Sequence, residues 1–583
     1  MRHLHFKLSL HPERHIISVE LALEKDDLPC ELRIASWTPG SYLMREYAQC
    51  IRNLEVCSAG RTASASIAGK ASWSIPAGED VLVRYDVFAR QFGIHGAFLE
   101  RTRGAFNAPA VFILPDGWDG AATVEIDAPE WQAFTSLERI SPNVFRAKSR
   151  EELLDSPFHF LPASSSAEII SVDACGTPHE ILITGGYPID GRRIAHDFSK
   201  IFESTIRFWS PEGKAPFRRY LLAMHLDAGA YGGLEHAAGT VLLEDPAHLP
   251  APCDEKPPKG YDDVLSLVAH EYFHAWLVKR LRPAAFAAYD LSREVFTPDL
   301  WVFEGLTSYF ESLIPLRAGV MTREAALKQF GRRASAALSR EGFDKMTLAE
   351  ASRLAWVKLY RPTEDSPYAQ TSYYSKGALA GFILNDAICE ATQNKKSLED
   401  VLRGAWTDAL RSPELALLPE DGFPEWVRRH AGVDLSRLLQ ELVHGRNNRS
   451  FWMKAFAEAA ERRGLRLAPL DDEPDAARFA GLVFSDRRRL KIGHVRSASP
   501  AGAAGLFAGD ELVAIEGFRA DAQTVDRLVA AHRGRTCRID FFRQNRLIST
   551  ELSVPEKPED DEFAGFTLKP IQSIGASPDS SRS

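Results

Sequence analysis

At 583 residues, with 45% apolar and 26% charged side chains, the chain has the make-up of an ordinary globular protein with room for roughly three to five domains. Its net charge of −9 and sequence pI near 6.1 offer no general attraction to nucleic acid or an anionic membrane, which excludes a polyanion-binding function. The opening MRHLHFKLSLHPERHIISVEL breaks its apolar residues with charges, so neither a signal peptide nor a membrane span is expected, and a cytoplasmic address follows.

From residue 1 to 165 the apolar pattern has period two: Leu4, Phe6, Leu8, Leu10, then Ile17, Val19, Leu21, Leu23, then Val81, Val83, Tyr85, Val87. With turn formers such as Trp37-Thr38-Pro39-Gly40-Ser41 between the runs, this predicts an antiparallel, half-buried β domain, and no catalytic group is expected there. Residues 166–330 mix strand and helix patterns. A strand from Arg219 to His225 leads into Gly232-Gly233-Leu234-Glu235-His236, where the glycine pair suggests an edge open to a second backbone. A helix is then expected from Val264 to Arg282, capped by Asp262 or Asp263, with Lys279, Arg280 and Arg282 at its negative end and Pro283 stopping it. A second apolar helix, with Thr297 as cap and Pro298 at its first position, carries Glu304 and Glu311. Residues 331–462 read as a helical domain, strands return over 463–556, and 557–583, rich in Pro, Ser, Asp and Glu, are expected to form a flexible tail. The seven cysteines are scattered, without a C-x-x-C pair, which argues against a disulfide framework and a thiolate zinc site.

The chemistry concentrates at His270-Glu271-Tyr272-Phe273-His274. Residues four apart share a helix face, so His270 and His274 can present two imidazoles to one metal ion with Glu271 beside them, the zinc peptidase arrangement. The alternative is a chance match on a core helix. A buried helix bearing these groups nevertheless carries a desolvation cost, which a divalent cation offsets most simply. Catalytic zinc keeps three protein ligands, and two glutamates compete for the third place. Glu294 lies twenty residues after His274, a spacing like that of thermolysin-type enzymes, and Glu304 thirty. Glu294, in Ser292-Arg293-Glu294, can remain solvated, whereas a carboxylate inside an apolar helix needs a cation, which favours Glu304. Glu311, two turns on, either hydrogen-bonds the free nitrogen of a ligating histidine or is a solvated helix-end carboxylate.

HEYFHAWLVKRLRP, LWVFEGLTSYFE and SYYSKGALAGFIL together resemble the glycyl aminopeptidase family of gluzincin metallopeptidases, relatives of the aminopeptidase N group. WTPGSYLMREY near the N-terminus resembles that family too. The resemblance implies an α+β multidomain chain: an N-terminal antiparallel β domain (1–165), a thermolysin-like α/β zinc catalytic domain (166–330), an α-helical domain (331–462) and a C-terminal PDZ-like β domain (463–556). It implies one Zn2+ held by His270, His274 and Glu304, the last in Phe303-Glu304-Gly305, although the linker before it is longer than in aminopeptidase N relatives. Gly232-Gly233-Leu234-Glu235-His236 is similar to the Gly-x-Met-Glu-Asn strand that holds the substrate's N-terminus in those relatives, with a glycine in place of their alanine and His236 in place of their asparagine. A protonated amine entering a partly dry cleft needs a carboxylate, and Glu235 is the candidate. Tyr374 matches the tyrosine that stabilises the transition state, with Tyr373 and Tyr368 as rivals. The segment from Ile492 to Gly517 resembles a bacterial PDZ domain, which captures a peptide C-terminus by strand addition; Phe479 to Phe484 would be its carboxylate loop, unless the module only packs against the helices. The expected activity is removal of Gly or Ala from peptides with a free N-terminus, Glu271 acting as base. The rivals are a PDZ-directed zinc endopeptidase and a catalytically silent peptide-binding scaffold.

Overall fold

A computed structural model describes residues 3–25, 30–58, 61–76, 79–469, 474–557 and 565–571. They fall into two units, Met1–Ala326 with Lys396–Asp434, and Leu327–Lys395 with Leu435–Ser583.

In the first unit the period-two runs become an eight-stranded sheet with Leu4–His11, Ile16–Leu23 and Val81–Phe88 adjacent near its centre. Phe6 pairs with Leu21, Leu8 with Val19, and Val19 in turn with Tyr85, so alternate residues stack on one buried face. The sheet is not wholly antiparallel as expected, because Leu4–His11 runs parallel to Ala122–Asp127. The long intervening chain makes that crossover possible, which local alternation cannot reveal. Two four-stranded sheets complete this region.

A five-stranded sheet follows in the order Glu168–Ala174, Thr177–Thr184, Tyr220–Leu226, Gly239–Glu244, Tyr231–His236. Tyr220–Leu226 has parallel neighbours on both sides and is buried at every residue, as a strand covered on both faces requires. Tyr231–His236 pairs antiparallel with Gly239–Glu244 and forms the sheet edge. The helix Gly191–Trp209, capped by the Asp190 side chain, buries Ile194, Phe198, Ile201 and Phe202, an apolar stripe at helical spacing.

The helix expected to reach Arg282 spans only Tyr261–Phe273, with Gly260 at its N-cap and Asp262 and Asp263 in its first turn. The chain then tightens: Val278 takes a positive φ of 111°, and the Lys279 N–H reaches back to the His274 carbonyl at 3.1 Å. Arg280 does meet the helix end, donating to the Ala275 carbonyl, but also to Ala237 and Pro216. Lys279 pairs with Asp155.

Helix Leu398–Arg411 belongs to the first unit rather than to a continuous 331–462 helical domain. Arg403 donates to the Phe208 carbonyl at 2.8 Å and Glu399 pairs with Arg317 at 2.6 Å, contacts invisible to periodicity. In the second unit, helices Tyr373–Ala391 and Arg449–Arg462 pack together. A six-stranded sheet runs from Leu482–Asp486 to Arg546–Val554 around its own apolar core. Leu465–Pro469 does not join that sheet. It pairs with Phe566–Pro570, so part of the expected tail is a strand, held because Phe566 is buried against Phe456 and its N–H donates to Ser335 Oγ. The rest of the expected tail beyond Ile571 lies outside the described residues. The cysteines are all free. No helix among the described residues is long and apolar enough to cross a membrane.

Candidate active site and metal centre

His270 lies in the last turn of Tyr261–Phe273 and His274 is its C-cap residue. Their second nitrogens are already engaged: His270 Nδ1 lies 2.8 Å from Glu311 Oε2, and His274 Nδ1 lies 2.8 Å from the Leu277 carbonyl. A carbonyl only accepts, so Nδ1 of His274 carries a proton, which leaves Nε2 as the nitrogen that could ligate a metal. Both Nε2 atoms turn to Glu304 Oε2, at 3.6 Å from His270 and 3.1 Å from His274.

Glu304 sits in a π turn, Trp301–Gly305, every residue of which is buried, followed by Leu306–Phe310 as α-helix. An ordinary α-helix is the sequence expectation; such π turns recur at functional sites because they re-aim one side chain. Burial pushes the Glu304 carboxyl up, but His274 and His270 overcome it and hold it well below the usual carboxylate range. Burial likewise opposes charge on His274, yet Glu304 raises it. One potential ligand atom from each of His270, His274 and Glu304 lies within 4.8 Å of the others, and among the described residues no other such trio occurs. Glu294, half-buried in an irregular stretch, is not part of it.

Glu271 is buried, and its carboxyl is pushed up to about 7 by burial, opposed by His270 and His274. Its Oε2 has no hydrogen-bond partner among the described residues. The side chain lies flat on the edge strand: a methyl group at Gly233 would overlap the Glu271 carboxylate. Successive side chains on a strand alternate faces, so Glu235 shares the face of Gly233. Glu235 is 4% exposed and its Oε1 also has no hydrogen-bond partner among the described residues. His236 takes the other face, fully buried with Nδ1 3.4 Å from Asp155 Oδ1. Glu235, Glu271, Glu304 and Glu311 thus gather beside two imidazoles. The cation Lys279 lies 2.6 Å from Asp155, and Arg280 is engaged with carbonyls. A buried cluster with this excess of carboxylate fits a divalent ion together with a cationic substrate group.

Tyr374 lies in the second unit, at the start of Tyr373–Ala391, with its hydroxyl 2.9 Å from that of Tyr360. Its rival Tyr368 is occupied elsewhere: its hydroxyl donates to the Val495 carbonyl and accepts from the Val495 N–H.

Sequence reasoning missed what the N-terminal β region contributes. Asp155 accepts from the Ala237 N–H at 2.7 Å, just past the edge strand. Ile94 packs with Leu234 and Val241, and its Cδ1 closely faces Gly232. Gly40 lies directly on the Glu235 carboxylate. The only signal was Thr-Pro-Gly-Ser, which announces a turn but not its target.

A model of the M61 glycyl aminopeptidase family matches residues 263–380, and the model of the M61 peptidase N-terminal domain matches residues 5–160. Over those two stretches the chain resembles this family. Among solved structures, the chain resembles an aminopeptidase N family protein from Idiomarina loihiensis at 27% identity and TM-score 0.90, over 98% of each chain. Aminopeptidase A of Legionella pneumophila, in complex with aspartic acid, aligns at 13% identity and TM-score 0.47 over 76% of this chain and 49% of that one. No curated protein matches. Family and likeness support a peptidase of the aminopeptidase kind, acting on peptides.

Proposed function

We propose that the chain is a zinc-dependent aminopeptidase that removes small N-terminal residues, Gly or Ala, from peptides. The observation that carries this reading is the buried convergence of His270, His274 and Glu304 beside Glu271, with Glu235 on the adjoining sheet edge. A zinc ion held by that trio would supply a Lewis acid for the scissile carbonyl and bring the pKa of water toward ~7. Glu271, unpartnered at Oε2, takes the proton of the attacking water and delivers it to the leaving amine. Glu235 holds the substrate's α-ammonium, which admits one residue between amine and scissile bond. Glu311 and the Leu277 carbonyl orient the two imidazoles. Tyr374 donates to the developing oxyanion, a role carried over from the family resemblance, as is the preference for Gly or Ala. Residues 463–556 are proposed as a PDZ-like module, in which Leu482–Asp486 is a sheet edge suited to strand addition by a peptide C-terminus.

The test is Glu271→Gln. It should retain stoichiometric zinc by mass spectrometry yet lower kcat on aminoacyl reporters by about 10²–10⁴-fold, the usual worth of a general base. Loss of zinc would make Glu271 a ligand, and full activity would remove it from the chemistry. If the wild type cleaves N-acetylated and free peptides equally, the enzyme is an endopeptidase. If the zinc-loaded wild type cleaves neither, the scaffold reading replaces catalysis.

A further inference from the structure

The N-terminal β region supplies a second demand on one glycine. Thr38-Pro39-Gly40-Ser41 closes with the Ser41 N–H donating to the Thr38 carbonyl at 3.0 Å, and Gly40 stands at φ +92°. Proline second and a positive φ third define a type II turn, for which glycine or asparagine is the usual third residue. The turn is buried and tied down: Trp37 Nε1 donates to the Asp290 carbonyl at 2.9 Å, Asn107 Nδ2 to Thr38 Oγ1 at 3.1 Å and Arg45 to Ser41 Oγ at 2.7 Å. Trp37, Thr38 and Ser41 are each at most 1% exposed. This rigid turn presents its Gly40 Cα to the carboxylate of Glu235, with no room for even a methyl group between them. The backbone requirement of the turn does not explain that contact, since asparagine would satisfy the turn and still collide.

We propose that Gly40 is a positioning residue for substrate recognition: its bare Cα is the wall against which the Glu235 carboxylate is set, so the N-terminal β domain fixes where the substrate's α-ammonium docks. The inference rests on the amine-binding role assigned to Glu235 above. Both oxygens of the Glu235 carboxylate lie against the turn, and Oε1 has no hydrogen-bond partner among the described residues to hold it there, so the contact with Gly40 sets where the carboxylate sits. A side chain at position 40 would push the flexible carboxylate away from the turn while leaving His270, His274 and Glu304 untouched.

The experiment uses the zinc-loaded full-length enzyme and two small inhibitors that differ by one amine, glycine hydroxamate and acetohydroxamate. The variants are Gly40→Asn, which keeps the type II turn, Glu235→Ala, and the two combined. Gly40→Asn should raise the Ki of glycine hydroxamate at least tenfold, change that of acetohydroxamate less than twofold, and leave zinc stoichiometry intact. In the Glu235→Ala background the same substitution should change neither Ki, because the group it displaces is gone. Should Gly40→Asn prevent folding, the proposal requires the double variant to fold and bind zinc, since removing the carboxylate restores the space; failure of both to fold overturns it. Parallel weakening of the two hydroxamates, or a full further loss on top of Glu235→Ala, would make Gly40 a turn residue only and overturn the inference. A Glu235→Ala enzyme that still prefers glycine hydroxamate as strongly as wild type would instead overturn the amine-binding reading itself.

Discussion

Loss of Asp155 is the perturbation whose cost the structure defines most directly. Its carboxylate lies 2.6 Å from Lys279 Nζ, with both groups buried, and it also accepts the Ala237 N–H at 2.7 Å. Burial pushes Asp155 up, but Lys279, with His236, outweighs this and holds it far below the usual carboxylate range, while Lys279 is raised by Asp155 against its own burial. Asp155→Ala leaves a buried ammonium without a partner, about 3–5 kcal/mol, and orphans the Ala237 N–H, about 1–3 kcal/mol more. The expected loss is on the order of 5 kcal/mol. Replacing both partners, as Asp155→Ala with Lys279→Met, should recover the larger part, because the stranded charge is removed. Urea denaturation of the single and double variants, followed by tryptophan fluorescence, reads this. A double variant as unstable as the sum of its singles would refute the reasoning. The pH dependence has a definite sign. A depressed carboxylate contributes stability above its unfolded pKa of 3.8 that is lost as pH falls through the lowered folded value, and a raised lysine contributes stability lost only as pH rises above 10.5. Wild type should therefore be destabilised by acid more steeply than the double variant.

Glu304→Ala should abolish tight zinc binding by dialysis and metal analysis, whereas Glu294→Ala should leave it within twofold; the reverse would restore the thermolysin-like spacing. Glu235→Ala should cost ~2–5 kcal/mol in kcat/KM on free-amine substrates, the penalty of an unpaired buried charge, with zinc content unchanged, and N-acetylation should abolish turnover by the wild type. A fragment of residues 474–557 should fold alone, since Ala476, Leu482, Ile515, Val529, Ile539 and Leu552 close one core; a molten fragment by NMR would show that it needs the helices. A cut near residue 460 should instead be poorly soluble, because it removes the pair Leu465–Pro469 and Phe566–Pro570 and bares Phe456.

Features that depend on local spacing were legible in the chain before it folds. Two histidines four apart share a helix face whatever surrounds them, a carboxylate in an apolar helix demands a counter-charge, and strict alternation within each of the runs Leu4–Leu10, Ile17–Leu23 and Val81–Val87 has one buried solution. His270, His274 and Glu304 therefore converge as read, although the π turn that carries Glu304 has no pattern of its own. Tertiary structure decided the rest. The helix ends at Phe273 rather than Arg282 because Lys279 and Arg280 are drawn to Asp155 and to distant carbonyls, and a local pattern does not register those competitors. Leu4–His11 lies parallel to a strand far along the chain, and Phe566–Pro570 is a strand because it meets Leu465–Pro469. His236 faces away from Glu235 because pairing register assigns faces by parity. Gly40 was legible as the third residue of a turn; that the turn rests on Glu235 depends on the whole β region folding over the edge strand, and no residue near Gly40 in sequence encodes it.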